Sequence, residues 1–356
     1  MRACVLTRTG GSPADSLQIT DVTDAPAPQA GEVRVAIKAA ALNHLDLFVA
    51  GGMPGSGPRL PHVVGADGAG VVESVGSGVT AVRPGDRVLL NPGISDYTCE
   101  FCLAGEQSLC VGYRLLGEHL PGTMAELVTV PAHNVALMPA PSPALTWSEA
   151  AAFSLVTLTA WRMLVTRAQV KAGETVLVWG IGGGVSLTAL RIAKLLGARV
   201  IATSSDDAKL AEARRLGADF TLNHRTQKVS QEVRALTQRR GVEVVVENVG
   251  EATWEESLRC LKRGGRLVTC GATSGPQVHL DLRRVFWHHF TIMGSTMGNA
   301  REYAEVVRRL GEGQLRPIVD HVYPLAQASQ AYERLAKGEQ MGKVVVEVSK
   351  DRDNHT

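Results

Sequence analysis

From Glu32 to Ala39 the chain alternates apolar Val33, Val35 and Ile37 with polar or small neighbours, the two-residue period of a strand with one buried face. Arg87 to Leu90 and Ala125 to Val130 carry similar short runs. Gly and Pro turns separate them, so the chain up to about Pro143 reads as short strands. A proline-rich lead-in at Pro139, Pro141 and Pro143 marks a boundary, and a helical stretch is predicted from Trp147 to Arg167. Beyond it, apolar strands alternate with helices. Val176 to Trp179 is a strand, Val185 to Leu196 a helix with Leu187, Leu190, Ala193 and Leu195 facing inward, Arg199 to Ala202 a strand and Asp207 to Leu216 a helix. Gly197 and Gly217 stop the two helices. Val242 to Glu247 and Arg266 to Cys270 add strands around a helix from Trp254 to Leu261, and strand character returns at Lys343 to Val348. That rhythm predicts a parallel sheet with helices on both faces.

A length of 356 residues suggests two domains, each large enough for its own core. With 45% hydrophobic and 20% charged residues and a net charge of +2, the composition is that of an ordinary globular protein and does not point to nucleic acid. The basic pairs Arg214-Arg215 and Arg239-Arg240 read as solvated helix faces. No apolar run is long enough to span a bilayer, and the opening residues lack the apolar core of a signal peptide, so no membrane partner is expected. Six cysteines without a disulfide framework fit a reducing cytosol, and the expected location is cytoplasmic.

Two segments carry recognisable chemistry. Trp179-Gly-Ile-Gly-Gly-Gly-Val-Ser186 lies between a strand and a helix, the context of a dinucleotide-binding turn. Gly180, Gly182, Gly183 and Gly184 let the backbone turn tightly, and a pyrophosphate would rest on the amino end of the helix starting near Val185. Asp96-x2-Cys99-x2-Cys102-x7-Cys110 has the spacing of a compact tetrahedral metal site. It either binds one structural Zn2+ through Asp96, Cys99, Cys102 and Cys110 or forms a metal-free loop with free thiols or a redox pair.

The cysteine run resembles the structural-zinc lobe of the medium-chain dehydrogenase/reductase superfamily, with Asp96 where the first Cys would be. The likeness extends through Ala41-Leu-Asn-His-Leu-Asp46, Gly65-Ala-Asp-Gly-Ala-Gly70, Pro84-Gly-Asp-Arg-Val88, Leu158-Thr-Ala-Trp161 and the glycine turn. It implies an α/β protein: a GroES-like β-barrel catalytic domain over residues 1–145, with the lobe at 92–112. A Rossmann doubly wound parallel-sheet domain over 146–295 and a segment at 296–356 returning to the first domain complete it.

By the same resemblance Thr159, Asn248, Val249, Gly250, Gly271, Ala272 and Ser295 line a nicotinamide cofactor. At the end of the second strand Ser204 and Ser205 stand where an NAD site usually carries an acid, and Lys209 and Arg225 could meet a 2'-phosphate. NADP(H) is therefore favoured over NAD(H), although Asp206 and Asp207 are close enough in sequence to reach a ribose. The catalytic-zinc positions of the alcohol dehydrogenases fall at Asn43, Ala66 and Leu155, so no catalytic Zn2+ is expected.

Asn43, His44, Asp46 and Asp67 remain as candidate catalytic residues, with Asn43 a hydrogen-bond donor to the reacting oxygen and His44, Asp46, His119 or solvent the proton source. Asn43-x-x-Asp46 also resembles the quinone oxidoreductase branch. The leading expectation is an NAD(P)H-dependent reductase of quinones, enones or related activated carbonyl compounds, acting on a small molecule as a homodimer or homotetramer. The alternatives are an alcohol dehydrogenase with a metal on Asp67 and His44, and a non-catalytic nucleotide-binding sensor or structural protein.

Overall fold

In the computed structural model, which describes residues 1–52, 57–140 and 144–349, the chain forms two units, Met1–Leu155 with Asn299–Thr356 and Val156–Gly298. Pro141 and Pro143 of the predicted lead-in lie outside the described residues. The first unit opens with β1 (Arg2–Leu6), β2 (Leu17–Asp21), β3 (Glu32–Ala41), β4 (His62–Val63) and β5 (Asp67–Val75). It continues with β6 (Arg87–Leu90), β7 (Gly93–Ile94), β8 (Arg114–Leu115), β9 (Leu127–Pro131) and β10 (Val135–Leu137). β1 lies between β2 and β4, while β3 pairs antiparallel with both β5 and β9. The alternation read in the sequence is real: Val33, Val35 and Ile37 are fully buried and pack with Leu6, Val88, Leu90 and Met124. β3 runs past the predicted end at Ala39, because backbone pairing holds the all-alanine stretch that side-chain alternation cannot mark.

The second unit holds β11 (Thr175–Val178), β12 (Arg199–Ser204), β13 (Phe220–Asn223), β14 (Val242–Glu247), β15 (Leu261–Thr269) and β16 (Thr291–Gly294). They form one parallel sheet in the order β13-β12-β11-β14-β15-β16. This is the doubly wound arrangement predicted, with the strand order reversing beside β11, where ligands of such sheets bind at the carboxyl ends. Buried Val176, Leu177, Val178, Val244, Val245 and Val246 make the two central strands apolar throughout, as a sheet covered on both faces requires. The predicted helix from Trp147 to Arg167 is three pieces: Trp147–Ala151, Ser154–Trp161 and a π-helical turn, Arg162–Arg167. Its first piece is capped by Thr146, whose hydroxyl accepts the Glu149 N–H at 3.2 Å.

After the sheet the chain returns to the first unit. β17 (Val319–Pro324) pairs parallel with β18 (Lys343–Glu347), and β18 pairs antiparallel with β3. The helix Ala328–Ala336 buries Tyr332 and Leu335 in the same core. The C-terminal strand is thus a full member of the first unit's main sheet.

Candidate active site

The predicted cofactor residues of the second unit gather at the carboxyl edge of its sheet. Gly180 follows β11 with φ +62°, a left-handed conformation that favours glycine, and nothing stands within 4 Å of where a Cβ would project. The helix Gly184–Leu195 starts one residue earlier than predicted, and no side chain caps it, so its first-turn amides face the turn. Ser186 donates to the Trp179 carbonyl at 2.7 Å and accepts from Asn248 Nδ2 at 3.2 Å, tying the turn to the loop after β14.

That loop is organised by Glu247, a fully buried carboxylate whose sequence position marks it only as the end of a strand. It accepts the N–H groups of Val249 and Gly250 at 2.8 and 3.1 Å and the hydroxyls of Thr253 and Ser257. Gly250, at φ +91°, lies so close to the next loop that a Cβ would come within 2.5 Å of the Gly275 carbonyl oxygen. Gly271 and Ala272 follow β15, Ser295 follows β16, and Thr159 donates to Met297 Sδ at 3.6 Å.

Two buried polar atoms on this edge, Asn248 Oδ1 and Ser295 Oγ, have no hydrogen-bond partner in the protein. Asn248, bonded to Ser186 in the first turn of the uncapped helix, leaves its acceptor open there, and the two orphaned atoms fit a polar ligand lying along this edge. Ser204 Oγ accepts the Asp206 N–H at 3.1 Å. Asp206 Oδ1 accepts Ala208 and Lys209 N–H groups, and Asp207 accepts from Asn223 Nδ2 at 2.7 Å. Both carboxylates at the end of β12 are therefore engaged locally, and Arg225 lies exposed just after β13.

In the first unit three strand ends meet. Ala41 of β3 faces Asp67 of β5 and Val345 of β18, and the second register runs on to bring Lys343 opposite Asn43. The Lys343 ammonium donates to Asn43 Oδ1 at 2.5 Å and to Asp67 Oδ2 at 2.9 Å. Both partners and the lysine are almost completely buried. Asp67 also accepts the Leu155 N–H at 2.8 Å and Asn43 Nδ2 at 3.1 Å.

Lysine can only donate, so the Asn43 amide must present its oxygen to it. The amide hydrogens then point to Asp67 and to the Ala41 carbonyl at 3.4 Å. This corrects the expectation that Asn43 donates to a substrate oxygen: its donors are already committed.

Asp46 accepts the Asn43 N–H at 2.7 Å from the first turn of the helix His44–Gly51, and burial pushes its carboxyl up to about 7. His44, at the start of the same helix, is held below its usual value by burial and then by the Lys343 charge. Next to Leu155, Ser154 and the buried Tyr303 hydroxyl stand 3.0 Å apart. Burial, reinforced by the Asp67 charge, raises the Tyr303 phenol above its ordinary range. His119 accepts the Leu115 N–H through Nδ1 and faces Glu118 with Nε2 at 3.6 Å.

β7 and β8 pair at the base of the predicted metal lobe. One ligand atom each from Asp96, Cys99, Cys102 and Cys110 lies within 4.8 Å of the others, against an edge of about 3.8 Å for a tetrahedron with Zn–S bonds of about 2.3 Å. Cys110 Sγ accepts N–H groups from Asp96 and Gly112 at 3.4 and 3.3 Å. Asp96 Oδ1 is fixed by the Thr98 and Cys99 N–H groups at 2.7 and 2.9 Å. The four residues fit a zinc ion, and among the described residues they are the only such cluster of metal-ligating types.

Comparison with known proteins agrees with this geometry. The alcohol dehydrogenase GroES-like domain family matches residues 29–140, and the zinc-binding dehydrogenase family matches residues 184–312. An alcohol dehydrogenase from Geobacillus stearothermophilus is 33% identical over 93% of this chain and 96% of its own. The quinone oxidoreductase of Lama guanicoe is 30% identical over 97% of each chain. A crystal structure of an NAD-dependent alcohol dehydrogenase, 44% identical, superposes with a TM-score of 0.92 over 98% of this chain and 100% of that one.

The chain belongs to the medium-chain dehydrogenase/reductase superfamily. It is an NAD(P)-dependent oxidoreductase built from a GroES-like domain and a Rossmann domain. Within that superfamily, the catalytic-metal positions of this member do not fit a zinc ion. Asn43 gives its amide oxygen to Lys343, Ala66 and Leu155 carry no ligand atoms, and the nearby Asp67 is held by an ammonium. A metal on Asp67 and His44 would have to share Asp67 with the Lys343 ammonium at 2.9 Å, a contact that weighs against that alternative.

Proposed function

We propose that this oxidoreductase reduces quinones, enones or related activated carbonyl compounds without a catalytic metal, with NADP(H) favoured over NAD(H). The observation that carries the proposal is the buried Lys343 ammonium bonded to Asn43 and Asp67 at the metal-ligand positions. Reducing an isolated carbonyl places a full charge on oxygen, which a Lewis acid stabilises by several kcal/mol. Conjugate addition spreads the charge into an enolate, for which hydrogen bonds and a fixed positive charge suffice.

The bound dinucleotide would supply the hydride. Gly180 to Val185 would hold its pyrophosphate, Asn248 to Gly250, Gly271, Ala272, Thr159 and Ser295 its nicotinamide, and Ser204, Ser205, Lys209 and Arg225 its ribose and 2'-phosphate. The preference for NADP(H) is supported by the engagement of Asp206 and Asp207 with their own neighbours. His44, kept neutral by burial and the Lys343 charge, is the first candidate to relay a solvent proton to the enolate carbon, taking one proton as it gives one. Asp46 and Asp67 act by holding Asn43 and Lys343 in place. Asp96, Cys99, Cys102 and Cys110 would hold one structural Zn2+. Self-association is supported by exposed Leu282, Phe286 and Trp287 on the helix Leu282–His288, next to the end of the sheet.

The test is turnover of a panel of enones, quinones and primary alcohols with NADPH and with NADH, before and after exhaustive chelation of protein whose lobe remains folded. Chelation-resistant reduction of conjugated substrates, faster with NADPH, is expected. Ethanol oxidation that stops on chelation and returns with Zn2+ would restore the alcohol dehydrogenase reading favoured by the name of the 44% identical structure.

A further inference from the structure

A cavity of about 430 Å3 opens in the second unit at the end of the sheet opposite the glycine turn. Arg239 and Arg240 reach it from just before β14, Lys262 and Arg263 from the start of β15, and Arg284 and His288 from the helix before β16. Arg234 completes the rim, and Leu258, Leu261 and Phe290 form an apolar floor. No acidic residue lines it.

Lys262 is neutralised by Glu243 at 3.0 Å, whereas none of the five arginines forms a salt bridge among the described residues, the Arg284 charge reaching only Asp281 at longer range. Arg234 and Arg263 donate only to backbone carbonyls, of Arg259 and Trp287. In a chain whose net charge is +2, five guanidinium groups without a salt bridge at one concavity, four of them open to solvent, set up a positive potential that draws an anion.

The backbone holds them there at a cost. The predicted solvated helix face at Arg239-Arg240 is not helical: the helix Val229–Leu236 ends first, and Gln238 and Arg239 both adopt left-handed conformations, with φ of +52° and +66°. The combined field is felt by His288, which burial and then the charges of Arg263, Arg284 and Arg234 hold below its usual value.

We infer that this cavity is a binding site for a small multivalent anion, a diphosphate or a phosphate-bearing metabolite, separate from the dinucleotide turn. Planar, five-donor guanidinium groups match phosphate oxygens in bidentate fashion, and the volume suits a metabolite-sized ligand. A concave site with an apolar floor favours a small molecule over nucleic acid, which needs a long basic track.

The test titrates inorganic pyrophosphate by calorimetry into full-length protein saturated with NADPH, so that the glycine turn is already filled. Saturable binding that weakens with salt is expected, and Arg263→Gln and Arg284→Gln should each raise Kd about tenfold. Arg8→Gln, which removes an exposed arginine of the first unit, should leave Kd unchanged. Retained NADPH binding confirms that each variant is folded, and Arg263→Lys, which keeps the charge, should lose less affinity than Arg263→Gln. The inference is overturned if saturation with NADPH abolishes pyrophosphate binding, if the Arg263 and Arg284 variants bind as the wild type does, or if single-stranded oligonucleotides displace pyrophosphate stoichiometrically.

Discussion

Replacing Lys343 by Met removes the ammonium while keeping most of the aliphatic volume, and leaves Asp67 fully buried with only the Asn43 and Leu155 donors. At the observed 2.9 Å, the attraction between the two charges is about 6 kcal/mol at an effective dielectric of about 20. Desolvation of both ions offsets much of that, so the pair as a whole stabilises little. Removing one partner, however, strands the other charge and should destabilise by about 3 to 5 kcal/mol.

For a unit of about two hundred residues, that corresponds to a fall of roughly 6 to 20 °C in the first unit's thermal transition. The double variant Lys343→Met with Asp67→Asn removes both charges and should recover at least about 2 kcal/mol of the summed single effects. Calorimetry of the two single variants and the double variant, with urea midpoints as a second probe, measures this coupling. Additive losses, or a Lys343→Met loss below about 1 kcal/mol, would refute the buried pair as the element that joins the strand ends.

Two further outcomes follow from neighbouring groups. Elemental analysis should give at most one zinc per chain, and Cys102→Ser should remove it and lower stability while leaving NADPH affinity nearly unchanged; two zincs per chain would contradict the metal-free strand ends. Asp46, raised by burial to about 7 from an unfolded value of about 3.9, stabilises the fold fully only below about pH 4. The stability of the wild type minus that of Asp46→Asn should therefore fall by a few kcal/mol between about pH 4 and pH 7, and a flat difference in urea titrations across that window would exclude it.

Local patterns made much of this molecule legible. The glycine turn, the cysteine lobe and the sheet strands each depend on residues a few positions apart, where spacing and periodicity carry the signal. β16, Thr291–Gly294, was not predicted, because it holds only the apolar pair Ile292 and Met293, whereas the equally short β11 carries the unbroken run Val176-Leu177-Val178. The break in the helix after Ala151 escaped because Ala152 and Phe153 are as apolar as their neighbours. Arg239-Arg240 is exposed as expected but not helical, because non-glycine residues in left-handed conformations leave no mark in sequence. Glu247 looked like an ordinary strand end. Its role arises from hydroxyls and amides that the fold brings round it.

Lys343 was the least legible residue, since 300 positions separate it from Asn43 and 276 from Asp67. Only the antiparallel register of β18 on β3 makes them neighbours. The absence of metal ligands could be read residue by residue, but that reading alone leaves an empty place with no chemistry. The ammonium supplies it. A metal needs several lone pairs converging on one point, whereas here the Asn43 oxygen and an Asp67 oxygen converge on a positive charge carried by the chain itself. Such a charge is fixed by strand pairing, survives chelation, and is already partly neutralised by Asp67. Under the proposed function it would bias the field around a delocalised enolate, whereas an alkoxide would lack the open coordination site of a metal. The preference proposed for conjugated over isolated carbonyl substrates therefore rests on how much charge one half-compensated lysine can offset.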